Sequence, residues 1–165
     1  MQLTDEQVAW VVLRVGWRGE DATVALALAL ATSGGNTSYR VPASTGPESW
    51  RVGLWGISLS RYPGLAKFDL TDPIIGARAA IQLWYATGQM WDWCQAWTGQ
   101  GYVPFLGRAR RAVAAPSKAA PIGDTPPADI ERAGAATARN MLADPRTDSP
   151  LIGGLRPIDL PPHQL

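Results

Sequence analysis

Residues 24–36 read VALALALATSGGN, and the fold turns on this stretch. The run from Val24 to Ala31 is apolar on nearly every side of a helix. A helix with no polar face belongs in an interior, so the sequence predicts a central, buried helix with other elements packed around it. Glu20 and Asp21 stand where that helix begins, favourably placed at the positive end of its dipole. Ser33-Gly34-Gly35-Asn36 ends it.

Working outward, Thr4-x-x-Gln7 is a capping box for an earlier helix, whose buried face is Val8, Val11, Val12 and Val15 and whose stop is Gly16. Residues 36–66 are rich in Gly, Pro and Ser and read as loops, with a short strand near Val52 to Leu59. Asp72-Pro73 supplies an N-cap and a first helical residue for a helix reaching about Thr87. Trp91 to Trp97 reads as a short helix, Gly99-Gln100-Gly101 as a turn, and Pro104 to Ala114 as a last helix. The expected class is mainly α, of the α+β kind.

Composition divides the chain. All eight tryptophans precede residue 98, while nine of the fourteen prolines follow residue 111, beyond which there is no aromatic residue. Aromatic side chains dominate core burial, so residues 1–111 are expected to form the packed domain. Residues 112–165 are expected to be a proline-rich extended tail with a possible helix near 128–142. Such a segment cannot bury itself, so it is either a loose end or an arm lying on a partner. Its candidate anchors are Ile122, Ile130, Met141, Leu142, Leu151, Ile152, Leu155, Ile158 and Leu160.

The 165 residues carry a formal charge of +1, which leaves no basic surplus for nucleic acid. One cysteine, Cys94, allows no internal disulfide, and with one histidine, His163, it is too little for a Cys/His zinc site. No metal and no cofactor are expected. The longest apolar run is too short to cross a bilayer, and the start Met1-Gln2-Leu3-Thr4-Asp5-Glu6 lacks the basic region of a signal peptide. The expectation is a soluble protein assembled in the cytosol.

Five pieces then stand in a recognisable order: Gly16-Trp17-Arg18-Gly19-Glu20-Asp21, the 24–36 stretch, Gly53-Leu54-Trp55-Gly56-Ile57, Asp72-Pro73-Ile74-Ile75-Gly76-Ala77-Arg78-Ala79-Ala80, and the Trp91–Arg110 stretch. Together, from about Leu3 to Arg111, they resemble the lysozyme-like soluble lytic transglycosylases, especially the short versions in tail proteins of actinobacterial phages. The resemblance implies a lysozyme-like fold and a peptidoglycan substrate. It also implies a glutamate at the end of the central helix that protonates the glycosidic oxygen. Such an acid needs a pKa lifted by an apolar pocket.

Here that position is Thr32, whose hydroxyl cannot release a proton near neutral pH. Losing a positioned general acid lowers a rate roughly 10²- to 10⁴-fold. Two family amides are also replaced, a glutamine by Gly56 and an asparagine by Gly76. On this reading the acid and both amides would have to be restored together to recover cleavage. The ordinary reading of Thr32 is a helix stop. Among the remaining acids only Glu48 lies in the loop region expected to line a cleft, and it is a weak substitute. Asp5, Glu6, Glu20, Asp21 and Asp72 belong to helix N-termini, and Asp69 and Asp92 to surface turns or short helices. Tyr39, Trp50, Trp55 and Tyr62 are candidate sugar-stacking residues, with a core position the stronger reading for Trp55. Cys94 reads as a small buried hydrophobe.

The leading expectation is therefore a catalytically inactive domain, a structural part of a phage or phage-like particle at tail or baseplate, assembled in the host cytoplasm. Its partners would be other particle proteins, or a second copy, met through the arm. The alternatives are an active muramidase or transglycosylase with a non-standard acid, and a non-catalytic module that binds cell-wall glycan.

Overall fold

The computed structural model describes residues 1–42 and 50–118. Helix α1 (Asp5–Val15) opens on the expected capping box: the Thr4 hydroxyl accepts from the Gln7 backbone N–H, and the Gln7 side-chain oxygen accepts the Thr4 N–H. Val8, Val11, Val12 and Val15 are all buried. Helix α2 (Gly19–Ser33) is the central element, buried from Ala22 to Leu30 except for the half-exposed Val24. It ends at Gly34, which takes the left-handed conformation and donates its N–H to Leu30 O.

Three short strands follow, β1 (Arg40–Pro42), β2 (Trp50–Val52) and β3 (Ile57–Ser58), in one antiparallel sheet ordered β1-β2-β3. Helix α3 (Pro73–Ala86) begins at Asp72, whose side chain accepts the N–H groups of Ile74 and Ile75. A single-turn helix α4 (Gln95–Thr98) and helix α5 (Leu106–Ala114) complete the described chain. Helices α1, α5 and α4 all contact α2, and α3 packs on α1. The alanines at 22, 25, 27 and 29 are completely enclosed, and their small side chains let neighbouring elements approach the α2 backbone closely. The class is α+β and mainly helical, as the sequence leads one to expect.

The core is bound by indoles. Trp17 lies 5.6 Å from Trp55 and 5.5 Å from Trp91 between ring centroids. Trp91 in turn meets Trp84 at 5.9 Å and Trp93 at 5.7 Å. Trp55 also donates its indole N–H to Ala25 O at 2.9 Å, which ties the end of the β2–β3 turn to the middle of α2. Two surface ion pairs hold α5 to helix N-termini, Arg108 to Asp5 and Arg110 to Glu20, each at 2.8 Å.

The structure departs from the sequence reading in two elements. The strand expected near 52–59 is a hairpin, because Gly53 (φ +78) and Gly56 (φ +59) reverse the chain between Val52 and Ile57. The helix expected over Trp91–Trp97 is a turn followed by the short α4. Trp91, Trp93 and Cys94 all point inward, and residues two apart cannot share one face of a helix. At the other end, α5 finishes at Ala114, as the sequence leads one to expect, with Ala112 buried. The backbone N–H of Ser117 then donates to Glu6 O, fastening the chain to the start of α1. Among the described residues no helix is long and apolar enough to cross a membrane.

Candidate functional site

The last turn of α2 brings Thr32 to the edge of the core, half-buried, where three other segments converge on it. The turn after Thr32 is held from outside. Leu3 N–H donates to Gly35 O, Thr37 N–H donates to Met1 O, and Gln2 bridges Asn36. Gly35 (φ +86) is required there, since a Cβ would stand 2.6 Å from the Leu3 carbonyl oxygen. The Ser-Gly-Gly-Asn signature thus shapes a left-handed exit from the helix, pinned by the N-terminal strap.

On its inner side the Thr32 hydroxyl lies 3.8 Å from the Cys94 sulfur, and that thiol lies 3.7 Å from Trp55 O. Cys94 is fully buried, and burial pushes its thiol pKa up, only partly opposed by its contact with Thr32. The raised pKa disfavours the thiolate, which is the nucleophilic form. On its outer side Thr32 meets the β2–β3 turn. A Cβ added at Gly56 would come within 2.8 Å of the Thr32 methyl, 3.5 Å of the Tyr39 ring and 3.9 Å of Arg51 Cβ. Thr32, Tyr39, Arg51, Gly56 and Cys94 therefore form one cluster drawn from four segments.

Among the described residues, the groups that meet at this helix end are a hydroxyl, a thiol and the edge of a phenol ring, with no carboxyl group among them. A family model described as a lysozyme-like domain matches residues 9–98, more than half of the chain. This chain belongs to the lysozyme-like family. No curated protein and no solved structure matches it.

Of the positions at which the lysozyme-like resemblance places functional side chains, Thr32 and Gly56 are in contact and Gly76 is not part of their cluster. Gly76 sits in the first turn of α3, where a Cβ would stand 2.8 Å from Leu70 O. Gly53 approaches the same carbonyl oxygen from the other side. Gly76 is thus a packing glycine, and an asparagine could not take its place without moving the Leu70 backbone. Gly56 is constrained as well, through its positive φ and the Thr32 methyl. Restoring both amides, as the sequence reading requires, would therefore strain the fold at two points.

The four aromatic candidates part company. Trp55 is buried against Trp17 and offers no face to a sugar, as its core reading has it. Tyr62 is also buried; burial raises its pKa, with Arg61 opposing and Asp92 adding to the rise. Trp50 is half-buried in β2, with the Arg40 guanidinium 4.6 Å above its ring. Tyr39 is half-buried beside Gly56. Glu48 and the nine candidate anchors from Ile122 to Leu160 lie outside the described residues.

Two residues escape the sequence reading. Arg51 reaches the cluster through β2, a pairing with no local signal. Asp92, expected on a surface turn or short helix, is half-buried, and one carboxylate oxygen is enclosed without a hydrogen-bond partner among the described residues. Its position between the buried Trp91 and Trp93 is the sequence signal for that burial. Asp69, by contrast, lies on an exposed turn, where hydrogen bonds from Thr71 hold its pKa down.

Proposed function

We propose that this lysozyme-like domain no longer cleaves glycan and serves as a structural part of a phage or phage-like particle, at the tail or baseplate. The observation that carries the reading is Thr32. It stands at the end of the central helix, where the resemblance places the general acid, and it is closed in by Cys94 and Gly56. Protonating a glycosidic oxygen needs a group that holds its proton at working pH and yields it in the transition state. A threonine hydroxyl holds its proton too tightly. The retained framework and the proline-rich segment beyond residue 118 both suit assembly with neighbouring proteins, including copies of this chain.

The test is turnover of purified peptidoglycan, read as muropeptides released, by the full chain and by Thr32→Glu. The full chain should release nothing above background. Thr32→Glu should stay near background too, although the apolar helix end would lift its carboxyl pKa. Release by the unmodified chain would overturn the inactive reading. Imaging of assembled particles with a label on this chain tests the structural role, and a label found only in the soluble fraction would remove it.

A second reading, a glycan-binding module, is favoured by Tyr39, which keeps a half-exposed ring beside the cluster. Cell-wall pull-down without turnover, lost in Tyr39→Ala, would select it.

A further inference from the structure

The outer face of α1 carries a feature that the lysozyme-like site does not use. A groove of about 310 Å³ is lined by Trp10, Leu13, Arg14, Arg18 and Pro116. Trp10, Leu13 and Arg14 are spaced i, i+3 and i+4, so they share one face of the helix. Trp10 and Leu13 are half-buried apolar side chains, and Arg14 and Arg18 are exposed. The Arg18 guanidinium is fixed in place by donating to the carbonyl oxygens of Leu13 and Trp17. The groove has an apolar floor, a proline wall and a basic rim.

We propose that this groove seats the chain's own proline-rich segment 119–131, led by Pro121, Ile122 and Asp124. Three observations select this occupant. The first is where the described chain ends. Pro116 already forms part of the groove wall, and Ser117 is bonded to Glu6 at the start of α1, so the chain is delivered to one end of the groove.

The second is length. From Glu6 to Val15, its last helical residue, α1 spans about 14 Å at about 1.5 Å per residue. An extended proline-type chain advances about 3.1 Å per residue, so about four or five residues past Ser117 cover that span. This register sets Pro121 and Ile122 over the last turn of α1, where Leu13 and Arg14 stand, with Asp124 following just beyond it. The third is charge. Residues 119–131 contain Asp124, Asp129 and Glu131 and no lysine or arginine, complementary to the Arg14 and Arg18 rim. Proline-rich chain on an aromatic-lined groove is a recurrent pairing, because the segment is extended before it docks.

The seat is independent of any particle role and is tested on the full chain. Leu13→Cys with Ile122→Cys, mildly oxidised at low protein concentration, should give a cross-link within one chain. Leu13→Cys with Ile152→Cys should give little. Amide exchange supplies a second measurement that needs no bond geometry. Residues 119–125 should exchange several-fold more slowly in the unmodified chain than in Arg14→Asp, and Asp124→Arg added to Arg14→Asp should restore the protection. Unprotected exchange in the unmodified chain would overturn the proposal. So would cross-links found only between chains, which would assign the groove to a second copy, or protection unaffected by Arg14→Asp.

Discussion

The middle of α2 and its last turn lie on one helix, yet their surroundings differ in kind. From Ala22 to Leu30 the helix is enclosed by α1, α5 and the Trp55 indole, which is hydrogen-bonded to Ala25 O. At Thr32 the helix meets a thiol, a ring edge and a glycine. The enclosed part supplies most of the apolar burial and the half-buried last turn far less, so the fold depends less on what the helix end carries. On the proposed reading, the lysozyme-like framework stays intact while its acid position carries a threonine.

The comparison would break most sharply if the enclosed region proved dispensable. Trp17→Ala removes the indole that touches both Trp55 and Trp91. It should destabilise the domain by about 3–5 kcal/mol, read from denaturant midpoints. A loss below about 1 kcal/mol would mean that the indole stack is not the framework.

The two glycines sharpen the contrast at intermediate size. Gly76→Asn must displace the Leu70 backbone and should destabilise by about 1–3 kcal/mol. Gly56→Gln combines a left-handed φ with contact on the Thr32 methyl, and should cost about 1–2 kcal/mol. Thr32→Ala removes that methyl. It should therefore recover part of the Gly56→Gln loss while being nearly neutral alone, a coupling that a double-mutant cycle measures. Strict additivity would mean that the two residues do not touch.

The smallest effect is a pH dependence. Burial raises the pKa of Cys94 above its unfolded value. Below the ordinary thiol range both states keep the proton, and this group adds no slope. As pH rises through that range the unfolded chain releases its proton first, so folding stability falls until the folded thiol ionises too. Tyr62, also raised by burial, acts in the same sense at higher pH. Melting temperature followed from about pH 8 to 11 should decline, and Cys94→Ala should remove the earlier part of the decline. An unchanged profile in the variant would show that the thiol is not differentially buried.

Local chemistry made most of the framework legible. The Thr4–Gln7 box, the Gly16 and Gly34 stops and the Asp72-Pro73 start each act within a few residues, and each is found where the sequence puts it. What escaped depends on distant partners. Strand β1 exists because Arg40 and Pro42 pair with Val52 and Trp50 across the sheet. Thr32 and Gly56 stand out separately in the sequence, but their contact spans 24 positions and needs the hairpin to form. Gly76 acquires its packing role in the same way. In the sequence it stands as a replaced amide, and only the fold shows the Leu70 carbonyl that approaches it.

The strap at Met1–Leu3 and the Ser117–Glu6 hydrogen bond have a mechanical consequence. The first leads straight into α1 and the second returns the chain to its first turn. A pull applied at Met1 and at Ser117 would be borne by the hydrogen bonds that join Met1 and Leu3 to Thr37 and Gly35 and by the Ser117–Glu6 bond, so the tension would fall on α1 and on the turn after Thr32 and would bypass the indole stack. The indole stack would ride as a side-hung bead on a loaded line, keeping its shape while the line beside it is stretched.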